Sequence, residues 1–247
     1  MEIDGSMSFE ESEIVVVCKK LFSQDIDPQG FIDKSLDSKN YPDKDYRTLM
    51  VDLAREWHPA HSIFKYIDIC FFLKVKYLHL HFIDDQRYTL PSQAFPHITD
   101  GNRFYSYEQI AAMRSYANQR GIVLVPEFEV PGHAAALNRN YPEVFAPKLE
   151  GGTDTEIVTE AGAVITAHNI VCAGRQNTMD GIHTLLEEIC ELFPETPYIH
   201  IGGDEANIKV WNYCTDSSAY MKENGIEDVY ELYSDFVGRV AQMVLDM

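Results

Sequence analysis

Apolar and polar positions follow two different periods along the chain, and from about residue 46 onward the two periods take turns. Short β-branched or aromatic runs at 47–54 (RTLMVDLA), 75–83 (VKYLHLHFI), 121–130 (GIVLVPEFEV) and 197–203 (PYIHIGG) predict strands of the kind found buried in a parallel sheet. Between the first two, Ile63, Ile67, Cys70 and Phe71 recur at helical spacing. Between the second and third, SYEQIAAMRSYANQRG predicts a helix that opens with Ser106 and Gln109 in capping-box spacing and closes on Gly121. Ile182, Leu185, Leu186, Ile189 and Leu192 line one face of a later helix, and Val229, Leu232, Tyr233, Phe236 and Val240 line the last. Two regions fall outside the rhythm. Residues 1–45, broken by Pro28 and Pro42, read as a polar lead-in with one strand at EIVVVC (13–18), and residues 142–177 read as a long loop.

Repeated βα units close into a (β/α)8 barrel or open into a doubly wound sheet. No GxGxxG or GxxxxGK[ST] follows any predicted strand, which weakens the nucleotide-binding form of the open sheet. In a barrel, chemistry gathers at the C-terminal ends of the strands. There the sequence places DLAREWHP, HLHFIDDQ, PEFEVPGH and HIGGDEAN, four polar clusters in succession.

Composition adds exclusions. The formal charge of −19, from 39 acids against 20 bases, opposes a nucleic-acid partner, and no apolar run is long enough to span a bilayer. Five cysteines without a CxxC pair fit reduced thiols, and the first residues carry acids where an export signal carries bases. A soluble, cytoplasmic protein is the expectation.

The clusters bring Asp52, Arg55, His58, His81, Asp84, Asp85, Glu127, Glu129, His133, Asp204 and Glu205 to one edge of the sheet. Plainer explanations exist for each. His79 and His81 alternate with apolar residues and suit core imidazoles, Arg55 suits a surface pair with Asp52 or Glu56, and adjacent acids after glycines suit a solvated turn. No HExxH or closely spaced Cys/His set fixes metal ligands, so neither metal nor cofactor is expected.

The stretches RTLMVDLAREWHP, YLHLHFIDDQRYTLPSQAFP, VPEFEVPGHAAA and YIHIGGDEAN, in that order over residues 46–212, resemble glycoside hydrolase family 20, the β-N-acetylhexosaminidases. The resemblance implies a (β/α)8 barrel and removal of a terminal N-acetylhexosamine from a carbohydrate, with the substrate's acetamido oxygen as nucleophile. It implies Glu205 as general acid/base and Asp204 as the partner of the acetamido nitrogen. Arg55 resembles the arginine that grips sugar hydroxyls, Asp84 and His133 a pair that tunes the acid, His81 a supporting residue, and Trp211 a family tryptophan suited equally to packing or sugar contact. Two departures stand out: DDQRYTL replaces the usual Gly and Trp after the Gln, which implies an altered rim contact, and Glu129 replaces an Asp.

Asp204 and Glu205 can face one sugar only if the chain has left the pleat, since neighbours on a strand point to opposite faces. Gly202 and Gly203 permit that exit. With four predicted strands of the eight a barrel needs, the expected division is a lead-in over 1–45 and a partial barrel over 46–247. Such a chain is expected to be poorly active alone, and to self-associate or be completed by a C-terminal half. The alternative is a non-catalytic carbohydrate-binding or vestigial half-barrel.

Overall fold

A computed structural model describes residues 46–99, 101–150, 156–158, 162 and 164–247. The predicted lead-in and its strand lie outside them. The elements are β1 (Thr48–Asp52), α1 (Ala60–Phe72), β2 (Tyr77–His81), α2 (Tyr107–Asn118), β3 (Val123–Glu127), α3 (Ala135–Asn140), α4 (Pro142–Phe145), β4 (Glu156–Val158), β5 (Val164–Thr166), α5 (Gln176–Leu192), a 3-10 turn (Ile208–Tyr213), α6 (Thr215–Asn224) and α7 (Val229–Asp246). The sheet runs in the order β1-β2-β3, and β4 and β5 form a separate antiparallel pair. Two compact units divide the chain.

The first unit takes the described residues up to Met50 with His58–His79 and Glu108–Leu124. Its helices bury the predicted stripes: Ile63, Phe64, Ile67 and Cys70 on α1, and Ile110, Met113, Tyr116 and Ala117 on α2. Phe71 is only half-buried. Phe64 meets Tyr116 edge to face at 4.8 Å. Asp68, also buried, accepts from the Tyr116 hydroxyl at 2.9 Å and from Arg120 Nε at 2.7 Å. Arg120 in turn lies 3.4 Å over the Tyr116 ring, so the one buried acid of α1 is fully answered by its neighbours. Gly121, at φ +66°, turns the chain out of α2 as expected, with Ile122 N–H returning to Ala117 O at 3.0 Å.

The second unit takes Val51–Trp57, Leu80–Tyr107 and the described residues from Val125 to Met247. The predicted fourth strand narrows here to a parallel bridge between Glu127 and His200. His200 N–H reaches Pro126 O at 3.0 Å and Phe128 N–H reaches His200 O at 2.8 Å, after which Gly202 and Gly203, at φ +64° and +114°, carry the chain out of extended geometry. The predicted loop over 142–177 also differs: it holds α4 and the β4/β5 hairpin, paired Glu156 with Thr166 through Val158 with Val164. Polar and glycine-rich flanks mask so short a hairpin, because three-residue strands show no usable alternation.

α5 buries Ile182, Leu185, Leu186, Ile189 and Leu192 as its spacing predicts. α7 buries Val229, Leu232, Phe236 and Val240, while Tyr233 is half-buried and turns its hydroxyl to backbone. Asp228 caps α7 by accepting from Tyr230 and Glu231 N–H at 2.8 and 2.9 Å, a device worth about 1 kcal/mol. Trp211 is fully buried, donates to Val171 O at 2.9 Å and packs against Phe236, which makes it a core residue rather than a sugar contact. No helix among the described residues is long and apolar enough to cross a membrane.

Candidate active site

Of the expected polar residues, Asp52, Arg55, His81, Asp84, Asp85, Glu127, Glu129, His133, Asp204 and Glu205 lie in the second unit at the ends of the strands, whereas His58 belongs to the first, where its ring meets Tyr66. Asp52 closes β1 by accepting from Ala54 and Arg55 N–H at 3.0 and 2.8 Å, which turns the chain and aims Arg55 back across the strand end. The Arg55 fork then bonds Asp52 Oδ2 at 2.9 Å and Asp84 Oδ2 at 2.8 Å. Arg87 donates to the carbonyls of Ala54 and Arg55 at 2.8 and 3.0 Å, so the departure at DDQRYTL supplies a brace for this turn.

Asp84 is 1% exposed and sits at the centre. Besides Arg55 it accepts from His81 Nε2 at 2.9 Å and from Asp85 N–H at 2.6 Å. Burial opposes its charge, yet His81, the Asp85 N–H, His133 and Arg55 hold its carboxyl below the ordinary range. His81, 3% exposed, is gripped on its other nitrogen by Glu127 at 2.7 Å. Burial disfavours an imidazolium there, but hydrogen bonds to two carboxylates prevail and push its pKa up to about 10. His81 is thus a buried cation. Glu127 also bonds His200 Nδ1 at 2.9 Å, and that bond, ahead of burial, raises the His200 pKa.

The line continues outward through His133, whose Nδ1 lies 3.4 Å from Asp84 Oδ1 and whose Nε2 lies 3.5 Å from Glu205 Oε2. The second distance is too long for a hydrogen bond, and His133 Nε2 is buried without one. His133 and Glu205 both sit at positive φ, +50° and +51°. A Cβ on Gly132 would stand 3.0 Å from Asp204 O, so a glycine there lets the two backbones approach.

The same loop is held from beneath. Gly203 N–H donates to Glu129 Oε1 at 2.7 Å, and the Tyr233 hydroxyl donates to Gly203 O at 2.6 Å. A Cβ on Gly202 would overlap the Glu129 carboxylate at 1.9 Å and carry a strained φ of +64°, so any other residue there would have to displace Glu129. Burial foremost, and then Glu127 and Asp204 against the Gly203 N–H, lift the Glu129 pKa to about 8. Beyond the clamp, Asp204 and Glu205 are exposed, with the Glu205 side chain 75% open. The sequence places Glu127 and Glu129 at a strand end without their present partners, puts Tyr233 only in the apolar stripe of α7, and gives no role to His200. His200 could have been found by its alternation with Tyr198 in PYIHIGG, whereas the Tyr233 contact with Gly203 carries no local signal.

His133, Asp204 and Glu205 offer three ligand atoms within cation-binding distance of one another, as do Asp84, Asp85 and His133. Arg55 and a charged His81 already neutralise Asp84 and Glu127, so the inner carboxylates are matched by protein cations. What the arrangement offers is two outward carboxylates, one of them backed by an imidazole that leads to buried charge.

An α/β architecture with its polar side chains at strand C-termini is the form of a (β/α)8 barrel, of which this chain carries part. The family described as "Glycosyl hydrolase family 20, catalytic domain" matches residues 45–247, and the chain belongs to it. A beta-hexosaminidase of Porphyromonas gingivalis is 32% identical over 225 residues, covering 84% of this chain and 27% of that protein. The beta-hexosaminidase subunit alpha of Mus musculus is 28% identical over 214 residues, 84% of this chain and 38% of that one. Among solved structures, an exo β-N-acetylglucosaminidase of Vibrio harveyi in complex with N-acetylglucosamine superposes with a TM-score of 0.72 at 26% identity, covering 83% of this chain and 34% of that chain. A β-N-acetylhexosaminidase of Bacteroides fragilis superposes at 0.67 with 30% identity, covering 81% and 40%. The chain therefore spans well under half the length of these relatives.

Proposed function

We propose that this chain supplies the catalytic carboxylates of a β-N-acetylhexosaminidase, which removes a terminal N-acetylglucosamine or N-acetylgalactosamine with retention of configuration. One observation carries the reading: the chain leaves the fourth strand through two positive-φ glycines and presents Asp204 and Glu205 together, with His133 and Asp84 behind Glu205. Glu205 protonates the leaving oxygen. Asp204 orients the acetamido nitrogen and stabilises its growing positive charge as the amide oxygen attacks the anomeric carbon and closes an oxazolinium ring. Glu205, now a carboxylate, takes a proton from the water that reopens the ring. His133 relays the field of Asp84 to Glu205, and Arg55, held between Asp52 and Asp84, keeps donors for sugar hydroxyls. His81 fixes Asp84 from within.

Four of the described cysteines are free, which favours a reducing, cytoplasmic setting. A second reading, a half-barrel that binds sugar without cleaving it, draws on the openness of Glu205, since an acid works best out of water. Turnover of an aryl N-acetyl-β-glucosaminide, with binding of a thiazoline analogue of the cyclised intermediate measured by calorimetry, separates the two. Turnover inhibited by the thiazoline supports the hydrolase, and Asp204→Asn should then lower thiazoline affinity roughly 100-fold. Sugar binding without turnover supports the second reading. An active chain indifferent to the thiazoline removes the substrate-assisted mechanism.

A further inference from the structure

Away from the site just described, the second unit holds a chemistry that the proposed hydrolysis does not use. Cys172 and Cys214 are fully buried, and their sulfurs lie 3.6 Å apart across a sequence separation of 42 residues. Their two chain segments are stitched together on both sides of the sulfurs. On one side Trp211 Nε1 donates to Val171 O at 2.9 Å; on the other Arg175 bonds Asp216 Oδ2 through Nε at 2.9 Å and Nη2 at 2.7 Å. Gly174 lies so close to the other segment that a Cβ would fall 2.3 Å from Asp216 O. The thiols are therefore held together by their surroundings and are not a chance approach of mobile side chains.

The two sulfurs are also inequivalent. Cys214 is the N-cap residue of α6, where the helix dipole favours an anion. The contact with Cys172 and the Ser217 groups works against burial to lower the Cys214 pKa, while the contact with Cys214 and burial raise that of Cys172. Cys214 is thus the better placed nucleophile of the pair, with Cys172 within reach.

We propose that Cys172 and Cys214 form a redox-sensitive disulfide that links the entrance of α5 to the start of α6, taking a low-molecular-weight disulfide such as oxidised glutathione as its oxidant. Because both sulfurs are buried, the exchange requires a local opening at the start of α6, from which the Cys214 thiolate attacks one glutathione sulfur, releases one glutathione thiolate and forms a mixed disulfide. The Cys172 thiol passes its proton to a departing glutathione thiolate and displaces it from Cys214. Two protein thiols are oxidised and one glutathione disulfide is reduced to two thiols. Bond formation needs the sulfurs to close from 3.6 Å to about 2 Å. The closed loop contains α5, the Glu127 bridge partner His200, and Asp204 and Glu205. Oxidation therefore secures the segment that carries both exposed carboxylates.

The test equilibrates the 247-residue chain in a series of glutathione buffers, approached both from reduced protein and from protein refolded in oxidised buffer. Free thiols are then alkylated and tryptic peptides weighed. Cys172, Cys190 and Cys214 fall in separate peptides, 149–175, 176–209 and 210–222. The expected product joins 149–175 to 210–222, is the same from both directions, and raises the unfolding temperature by roughly 5–10 °C. Cys214→Ser and Cys172→Ala should each abolish both the link and the shift. Predominant pairing of Cys70 or Cys190, a mixture of pairs, or persistence of both free thiols in fully oxidised buffer from both directions would overturn the proposal.

Discussion

Two buried acids, one in each unit, show what separates a charge that supports a fold from a charge that serves a site. Asp68 is closed on itself: Tyr116 and Arg120 saturate it, and the Arg120 guanidinium is spread on the Tyr116 ring. Asp84 is equally buried and has a comparable number of donors, but its partners lead onward, inward through His81 to Glu127 and outward through His133 to Glu205. That second line also ends in unanswered atoms. His133 Nε2 and Glu129 Oε2 are buried without hydrogen bonds, where Asp68 has none wanting. Burying an unpaired polar atom is costly.

The comparison breaks most sharply under parallel substitutions. Asp84→Asn strands a charged His81 between Glu127 and an amide and removes the anion behind His133, so activity should fall by 100-fold or more together with about 3 kcal/mol of stability. Asp68→Asn should cost a similar stability and leave kcat near that of the parent at a temperature where both are folded. Urea unfolding alongside steady-state kinetics checks the pair. Equal kinetic damage from both would erase the distinction.

A smaller effect sharpens it through pH. Glu129 keeps its proton to about pH 8 in the fold, against an ordinary value of 4.5. Between those values the folded chain binds the additional proton, so this residue's contribution to stability declines as pH rises through the window. Glu129→Gln keeps an oxygen for Gly203 N–H and cannot ionise, so its stability should fall less than the parent's between pH 5 and pH 8 in urea titrations. Identical slopes would show that Glu129 is ionised in the fold. Smaller again, Tyr233→Phe should lose about 1 kcal/mol and a few-fold in kcat, with KM nearly unchanged, because it frees the Gly203 carbonyl without touching a sugar-facing group.

Much of this was legible because it depends on local period. Leu78, Leu80 and the stripe of Ile182, Leu185 and Ile189 announce their elements by spacing, and the acids at strand ends announce the edge where chemistry sits. What could not be read depends on return contacts. Tyr233 meets Gly203 only because α7 comes back to the fourth strand, and Trp211 is core because Val171 and Phe236 enclose it, neither of which a linear pattern encodes. The fourth strand was overextended for a related reason: PYIHIGG has the composition of a strand, but only His200 engages both Pro126 and Phe128 before the glycines end the pairing. The exit at Gly202 and Gly203 was foreseeable from chemistry. That Glu129 packs against Gly202 and bonds Gly203 N–H was not.

The account rests on Glu205 acting as the acid at the outer end of the line from Asp84. The most direct measurement compares Glu205→Gln with the parent on two N-acetyl-β-glucosaminides, one with a poor alkyl leaving group and one with a dinitrophenyl group that departs without protonation. The account predicts a loss of about 1,000-fold or more on the first and a much smaller loss on the second. Equal losses on both substrates would contradict it.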